Sequence, residues 1–226
     1  MANDGVLVVD KEKGMTSHDV VSAVRRRFGV KKVGHAGTLD PNATGVLVLL
    51  LGKATKASVL YSSDEKEYEA RIKLGERTDT GDREGVVVAT SDALPGEDEV
   101  RRVVMGFEGE SDQVPPMVSA KKVKGKKLYE LARKGIVVER EPVRITISDM
   151  EITSVDMPFF DVRMTCTKGT YVRQLADDIG TVLGCGAHLW ELRRTRSGKF
   201  RIEDAVGFQE VMEMSPERLN EVIIRL

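Results

Sequence analysis

The longest uninterrupted apolar run in this chain of 226 residues covers residues 46–51. A helix that crosses a membrane needs about 20 consecutive apolar residues, so we expect no membrane span. A short run of valine and leucine is instead typical of a strand in a protein core. Because 41% of the residues are apolar, the chain has enough apolar surface to fold into a globular domain.

Strand-like and helix-like patterns alternate irregularly along the chain. Residues 68–74 alternate between apolar and charged side chains, which predicts a half-buried strand. Thr16 and Asp19 form a capping-box pattern, and apolar residues at helical spacing follow it. Because the elements show no steady strand–helix–strand rhythm, we expect an α+β fold with a mixed, largely antiparallel sheet flanked by helices and loops. Further strands are predicted at 5–9, 144–155 and 159–166, and further helices at 100–107, at 128–132 and from 170 onward, the last of these with Val182 on its apolar side.

The formal net charge of −1 hides a strong charge pattern. Residues 121–134 contain seven bases and one acid, and residues 163–201 contain eight bases and three acids, whereas residues 64–112 and 203–226 are acidic. Two basic segments that converge would form an electropositive surface suited to phosphates, although one charge run alone is usually a solvated face. The chain is therefore not a globally basic nucleic-acid binder, and any nucleic acid must bind to a local patch.

Common cofactor and hydrolase motifs are absent from the sequence. It contains neither a GxGxxG loop nor a GxSxG elbow, and its three histidines and two cysteines lack metal-ligand spacing. Two cysteines cannot form a disulfide framework, and the N-terminus has no signal pattern. We therefore expect a cytoplasmic protein that uses no cofactor and no metal.

The segment 34–45 is unusual because it combines three glycines and Pro41 in twelve residues. Such a segment predicts a tightly shaped loop whose backbone can approach a ligand closely. It lies between a basic helix tail and the apolar strand, and a carboxylate held there, that of Asp40, is suited to catalysis. Asp-Pro is also a common start of a turn, so spacing alone leaves a purely structural role for Asp40 open.

Five ordered blocks of residues, which extend over nearly all of residues 5–200, match the motifs of one family. On these blocks the chain resembles the TruB family, the bacterial tRNA pseudouridine-55 synthases. The blocks are Val9-Asp10-Lys11 with Gly14 and Thr16-Ser17; the segment 34–45; Lys66-Glu67-Tyr68 with Leu74-Gly75 and Thr78-Asp79-Thr80; Pro115-Pro116 with Ser119-Ala120, Gly125, Tyr129 and Ala132-Arg133; and residues 168–173 with His188, Leu192-Arg193-Arg194 and Ser197-Gly198.

The resemblance implies a pseudouridine-synthase-like fold and an isomerase that acts on a uridine in the T-loop of tRNA. The uridine is flipped out of its stack, its N1 glycosidic bond breaks, and C5 of the turned base is joined to the ribose. An essential Asp, which matches Asp40, either attacks C1′ of the ribose or removes a proton at C2′, and the sequence leaves both open. The implied partner is the T-arm of tRNA; we expect a monomer without an obligate protein partner.

The resemblance also assigns two further catalytic roles. Arg173 would hold the catalytic carboxylate in its ionised form, because an adjacent guanidinium stabilises that form. Tyr68 would stack on the uracil and help to remove the proton from C5, which is compatible with its place on the apolar face of a strand. Without the resemblance, Arg173 would be interpreted as a solvated helix residue and Tyr68 as a core residue.

Four residues match positions that hold or surround the substrate. His35 would occupy the space that the flipped base leaves, and Tyr171 and Leu192 would hold the uracil. Lys11 would either support the structure or contact phosphates. By spacing alone, His35 is an ordinary loop histidine, and Tyr171 and Leu192 are core residues.

The basic segments 121–134 and 193–199 would face the RNA backbone, so that affinity depends on salt. Two departures from the family pattern concern RNA binding and the N-terminal turn. Glu12 stands where the family commonly has proline, which affects a turn. The chain ends at Leu226, so we expect one catalytic domain over residues 1–226, with residues 203–226 as an acidic helical tail, no C-terminal PUA domain and weaker binding of tRNA.

Two other functions stay open at this point. One is a guide-RNA-dependent pseudouridine synthase subunit of a box H/ACA-type particle, whose members share these blocks. The other is a non-catalytic module that binds and folds tRNA, because the basic segments do not require Asp40 for binding.

Overall fold

The computed structural model describes residues 4–62, 64–119, 121–123 and 125–225. Ala120, from one of the five blocks, and Lys124, from the first basic segment, lie outside these residues. The strands are β1 (Gly5–Lys11), β2 (Val33–His35), β3 (Thr44–Leu51), β4 (Lys66–Leu74), β5 (Glu76–Thr78), β6 (Val87–Thr90), β7 (Gly109–Gln113), β8 (Lys122–Val123), β9 (Lys126–Lys127), β10 (Val143–Asp156), β11 (Phe159–Cys166), β12 (Ala187–Ser197), β13 (Phe200–Arg201) and β14 (Val206–Gly207). The helices are α1 (Ser17–Phe28), α2 (Ser58–Ser62), α3 (Glu97–Met105), α4 (Leu128–Ala132), α5 (Val172–Val182), α6 (Phe208–Glu213) and α7 (Pro216–Val222), with 3-10 turns at Gly52–Ala57 and Ile202–Asp204.

The backbone packs into two compact units, of which the first consists of residues 1–69 and 192–226 and the second of residues 70–191. Both units combine helices with strands that pair mainly antiparallel, and parallel pairs occur at β14 and β12. The predicted α+β fold with a mixed, largely antiparallel sheet is therefore confirmed. The organisation as one catalytic domain stays a prediction. No helix in the described ranges is long and apolar enough to cross a membrane.

The first unit is built around the predicted apolar strand. β3 pairs antiparallel with β1 along the whole length of β1 and with β2 over three residues, and β14 extends the sheet parallel to β1. Every residue of β3 after Thr44 is buried, as a continuous apolar run of this length predicts. The core cluster on one face contains Val6, Val8, Val46, Val48, Leu50, Tyr61 and Phe200.

Helix α1 begins and ends as its sequence predicts. The hydroxyl of Thr16 accepts a hydrogen bond from the backbone N–H of Asp19, whose carboxylate accepts one from the backbone N–H of Thr16. These two bonds satisfy N–H groups that the first helical turn leaves without partners. The helix buries Val20, Val21 and Val24, and it ends at Gly29, which adopts a φ of +63° that favours glycine.

The second unit contains the antiparallel strands β7, β10 and β11, together with two small hairpins formed by β5 with β6 and by β8 with β9. Its core contains Val100 and Val104 from α3, Ile145 from β10, Phe160 from β11 and Leu175 from α5. The helix predicted from residue 170 begins at Val172. Val182 was expected on its apolar face, but 63% of this residue is exposed, because the helix ends there.

Residues 203–225 contain the short strand β14 and the two short helices α6 and α7 rather than one terminal helix. Pro216 interrupts the helical run, because proline disfavours the helical conformation at the residue before it. Ser215 instead adopts an extended conformation and caps α7 through its hydroxyl, which accepts a hydrogen bond from the N–H of Arg218. Beyond α7, Ile224 pairs antiparallel with Val6, so the C-terminal segment packs against the sheet of the first unit.

Candidate active site

Asp40 lies in the loop of residues 36–43 that connects β2 to β3, which we call the Asp40 loop. The backbone carbonyl of Asp40 accepts a hydrogen bond of 3.1 Å from the N–H of Ala43, so Asp40 and Pro41 do begin a tight turn. The N–H of Ala36 donates to the carbonyl of Val48, 2.9 Å away, which ties the start of the loop to β3. The structural role of Asp-Pro and a catalytic role of the Asp40 carboxylate are therefore compatible.

Lys11 holds the Asp40 loop from the side of β1. Its side chain is fully buried, and its ammonium group donates hydrogen bonds to the carbonyls of Glu12 (2.8 Å), Met15 (2.8 Å) and Pro41 (3.0 Å). These three bonds use the three donors of a lysine. Of the two roles that the resemblance implies, the contacts favour support of the structure over contact with phosphate.

The charge of Lys11 is costly in this environment. Burial lowers the pKa of Lys11 from 10.5 to about 8, although the nearby Asp40 carboxylate acts in the opposite direction. The charge of Arg194 lowers the pKa of Lys11 further. Asp40 is therefore close enough to Lys11 to favour the charged form of the lysine.

Ser17, at the start of α1, fixes the middle of the Asp40 loop. The backbone N–H of Leu39 donates to the hydroxyl of Ser17 (2.8 Å), and this hydroxyl donates to the carbonyl of Leu39 (3.1 Å). The N–H of Gly14 donates to the carbonyl of Pro41, 3.0 Å away. Sequence reasoning assigned Ser17 to a family block but gave it no role at the site.

Arg194 does not contribute to the exposed phosphate-binding face that is predicted for segment 193–199. Arg194 is only 1% exposed and is bound to backbone carbonyls. Arg193 forms an ion pair of 2.7 Å with Asp10, and Arg196 lies 3.7 Å from the carboxylate of Glu67. Arg194 is buried where β12 pairs parallel with β3 inside the first unit, so this prediction is wrong for Arg194, while Lys199 stays exposed.

His35, Tyr68 and Leu192 also belong to the first unit. His35 is half-buried at the end of β2, and its Nδ1 is buried without a hydrogen-bond partner among the described residues. Burial, followed by the charges of Arg194 and His18, lowers the pKa of His35, so the ring is neutral at pH 7. Tyr68 is buried on the apolar face of β4, as its alternation predicts, and Leu192 is half-buried in β12.

Arg173 and Tyr171 belong to the second unit, at the start of α5. Arg173 is 5% exposed; its guanidinium donates to the carbonyls of Val118 (2.8 Å) and Thr80 (3.2 Å), and it lies 3.5 Å from the carboxylate of Asp82. The interpretation of Arg173 as a solvated helix residue is therefore wrong. Asp82 was not predicted, although it follows the block at 78–80.

Tyr171 precedes the first residue of α5 and is half-buried. Its backbone forms two hydrogen bonds with the side-chain amide of Gln113, a contact that sequence reasoning missed. Of the predicted site residues, Lys11, His35, Asp40, Tyr68 and Leu192 belong to the first unit, and Tyr171 and Arg173 belong to the second. The described part of the chain contains no cluster of three or more His, Cys, Asp or Glu side chains suited to a metal.

The fold is that of the pseudouridine synthases. The structure superposes on Cbf5 in a crystal structure of a Cbf5–Nop10–Gar1 complex with a TM-score of 0.79 and 30% sequence identity, over 99% of this chain and 60% of that chain. A second match, to Cbf5 in an archaeal box H/ACA Nop10–Cbf5 complex, has a TM-score of 0.72 and 30% identity, over 98% of this chain and 59% of that chain.

The sequence matches identify the family within this class. Residues 25–172 match the N-terminal domain of TruB family pseudouridylate synthase, and residues 173–224 match the C-terminal domain of tRNA pseudouridylate synthase B. The tRNA pseudouridine synthase B of Opitutus terrae is 53% identical over 92% of this chain and 87% of that protein. The protein of the same name from Syntrophotalea carbinolica is 49% identical over 99% of this chain and 73% of that protein. The chain therefore belongs to the TruB family of pseudouridylate synthases.

Proposed function

We propose that this protein converts a uridine in the T-loop of tRNA, at position 55, to pseudouridine. Membership of the TruB family supports the isomerase activity, and the relatives named tRNA pseudouridine synthase B support tRNA as the substrate. The observation that carries the proposal is the Asp40 loop. Lys11, Ser17 and Arg194 all hold its backbone, as a catalytic carboxylate that must meet a ribose requires.

The reaction is an isomerisation, so no atom is gained or lost overall except for the exchange of one proton. Asp40 either attacks C1′ or removes a proton at C2′, and the bond between N1 and C1′ breaks. The uracil turns and C5 bonds to C1′, which releases the Asp40 carboxylate from C1′ or is accompanied by return of the proton to C2′. The proton on C5 then leaves with help from Tyr68, and N1 takes up a proton from solvent. The Asp40 carboxylate must be ionised for either first step, and the role that the family resemblance implies for Arg173 is to stabilise that form through its guanidinium.

The target uridine must leave its stack before its ribose can be reached, which costs a few kcal/mol. His35, neutral and half-buried, is suited to fill the space left by the base, because a neutral ring loses little hydration there. Tyr171 and Leu192 would hold the uracil. Exposed basic side chains of the second unit, among them Lys126, Arg133 and Lys134, would contact the RNA backbone.

Release of tritium from 5-tritiated uridine in an unmodified tRNA transcript tests the proposal, because C5 loses its hydrogen. We expect release with the native protein and none with Asp40→Asn, while binding of tRNA and the circular dichroism spectrum stay unchanged. Asp92→Asn, at an exposed aspartate of the second unit, serves as the control and should release tritium at the native rate. Native release by Asp40→Asn would refute the role of Asp40.

The similarity to Cbf5 supports a second candidate, a synthase subunit that depends on a guide RNA. Activity of the isolated protein on the bare transcript, without guide RNA or other proteins, would exclude it. A third candidate is a tRNA-folding module without catalysis, for which tRNA would bind but no tritium would be released at any protein concentration. The names of the relatives favour the tRNA enzyme over both.

We further propose that the protein acts as a monomer in the cytoplasm, where its tRNA substrate is found, and that it recognises the T-arm by shape. A comparison of full tRNA with an isolated T-arm hairpin tests this recognition. Equal rates on the two substrates are expected, and sedimentation of the free protein should give the mass of one chain.

A further inference from the structure

Arg194 joins the two sides of the Asp40 loop. Its Nη2 donates to the carbonyl of Gly37 (3.1 Å) and its Nη1 to the carbonyl of Thr38 (3.4 Å), both of which precede Asp40. Its Nε donates to the carbonyl of Val46 (2.7 Å), which follows the loop in β3. One planar group thus sets the distance between the start of the loop and the strand into which it leads.

The backbone of Arg194 has little freedom to move. Residue 194 lies opposite Gly45 where β12 runs parallel to β3. A Cβ atom at Gly45 would lie 2.2 Å from the carbonyl oxygen of Arg194, so the two strands are in direct backbone contact. Gly45 also has a φ of +98°, which favours glycine. The guanidinium therefore extends from a fixed point next to the end of the loop.

The charge of Arg194 has a consequence for the site. Among the described residues, no carboxylate lies within salt-bridge distance of this guanidinium, which is nine-tenths or more buried. Its positive charge lowers the pKa of both Lys11 and His35. A buried cation is costly unless negative or polar groups surround it, and here backbone carbonyls of the loop supply that environment. Release of these carbonyls would leave the charge unsolvated, so the loop and the guanidinium stabilise each other.

We propose that Arg194 is a positioning residue, which holds the Asp40 loop in the geometry that the isomerisation needs and does not contact RNA. The inference rests on the proposed function of Asp40. It replaces the phosphate-binding role expected for this arginine. A displacement of a reacting group by about 1 Å is enough to lower a rate about 100-fold, so loss of the three bonds should act mainly on the chemical step.

The test uses Arg194→Lys and Arg194→Met in the full chain. Lysine keeps the positive charge, but its single Nζ lacks the planar arrangement of three nitrogens with which the guanidinium binds the three carbonyls. The matched control is Arg27→Met, because Arg27 also donates to two backbone carbonyls, those of Met212 and Met214, but at α6 of the same unit. Single-turnover tritium release, the Kd for tRNA and hydrogen exchange of residues 36–44 are measured for each protein.

We expect both Arg194 variants to bind tRNA within about 3-fold of the native Kd, to react about 100-fold more slowly, and to exchange the amides of residues 36–44 faster. Arg27→Met should match the native protein in rate and in exchange of this loop. Native rates and native exchange in Arg194→Lys would overturn the inference, and so would a failure of both variants to fold, which would make Arg194 a residue of global stability. Absence of tritium release from the native protein would instead refute the proposed function.

Discussion

The side-chain amide of Gln113 pairs with the backbone of Tyr171 in both directions. The N–H of Tyr171 donates to Oε1 of Gln113 (2.8 Å), and Nε2 of Gln113 donates to the carbonyl of Tyr171 (3.2 Å). Gln113 is 5% exposed, so this pairing takes place away from water, where each bond is hard to replace. It fixes the backbone immediately before α5, the helix that carries Arg173.

Replacement of Gln113 by glutamate should therefore damage the proposed site. The new carboxylate can accept from the N–H of Tyr171 but would face its carbonyl without a proton to donate. We expect the protein to lose about 2 kcal/mol of stability, the cost of a buried group without a partner, and the rate of tritium release to fall by more than the Kd for tRNA rises. Urea unfolding and single-turnover kinetics measure both effects.

Gln209→Glu is the control for this change, because Gln209 is exposed and its substitution adds the same negative charge on the surface. The new carboxylate would lie near that of Glu12, but both groups are exposed, so their repulsion is weak. It should leave stability and rate unchanged. Native stability in Gln113→Glu would show that the pairing with Tyr171 contributes nothing to the fold.

The lowered pKa of Lys11 predicts a dependence of stability on pH. Unfolding returns the pKa from about 8 to 10.5, so between these values the unfolded chain binds a proton that the folded protein lacks. Stability contributed by this group therefore rises with pH across that window, by about 1 kcal/mol per pH unit. Relative to Lys11→Met, the native protein should gain free energy of unfolding from pH 8 to pH 9.5 in urea titrations. An unchanged difference would mean that Lys11 titrates as an ordinary surface lysine.

Gly45→Ala should destabilise the protein severely. The added methyl group would collide with the backbone of Arg194. In addition, the positive φ at residue 45 would strain the backbone of any residue other than glycine. We expect a loss of more than about 3 kcal/mol of unfolding free energy. Gly14→Ala separates the two causes, because Gly14 has a φ of +84° and open space around its Cβ position. It should cost only about 1 kcal/mol, as measured by thermal or urea unfolding; equal losses in the two variants would show that the collision is relieved.

Lys134→Glu tests the proposed RNA-binding segment of the second unit. Lys134 is exposed, so its replacement should leave stability unchanged. If it contacts a phosphate, the affinity for tRNA falls, and the slope of log K against log salt concentration decreases in magnitude by about 1. Arg102→Glu, at an exposed arginine of α3, is the matched charge reversal. Equal effects of both reversals would indicate that only the net charge of the protein matters.

Local patterns in the sequence predicted most of the elements. Strand β3 follows from an apolar run, β4 from alternation, and α1 from its capping box, because each of these signals acts between residues close in the chain. The two helices at the C-terminus were missed as separate elements because the effect of Pro216 was not weighed against the apolar spacing around it. Similarly, the exposure of Val182 depends on where α5 ends.

The candidate site was predictable in its residue types but not in its supports. The density of glycine and proline around Asp40 indicated a shaped loop, and the family blocks indicated Arg173 as a partner. Nothing local indicates that Arg194 would be buried, since arginine in a basic segment is usually solvated. Its role depends on carbonyls of residues 37, 38 and 46, which are far from it in the chain.

The sequence by itself determined the class of fold, the family and the loop that carries Asp40, because periodicity, capping and ordered motifs are written in neighbouring residues. Only the tertiary structure decided which polar side chains are buried and what they hold. Burial is a property of chain segments that meet after folding, and once water is removed, charged groups such as Lys11 and Arg194 must bind whatever carbonyls the fold presents to them.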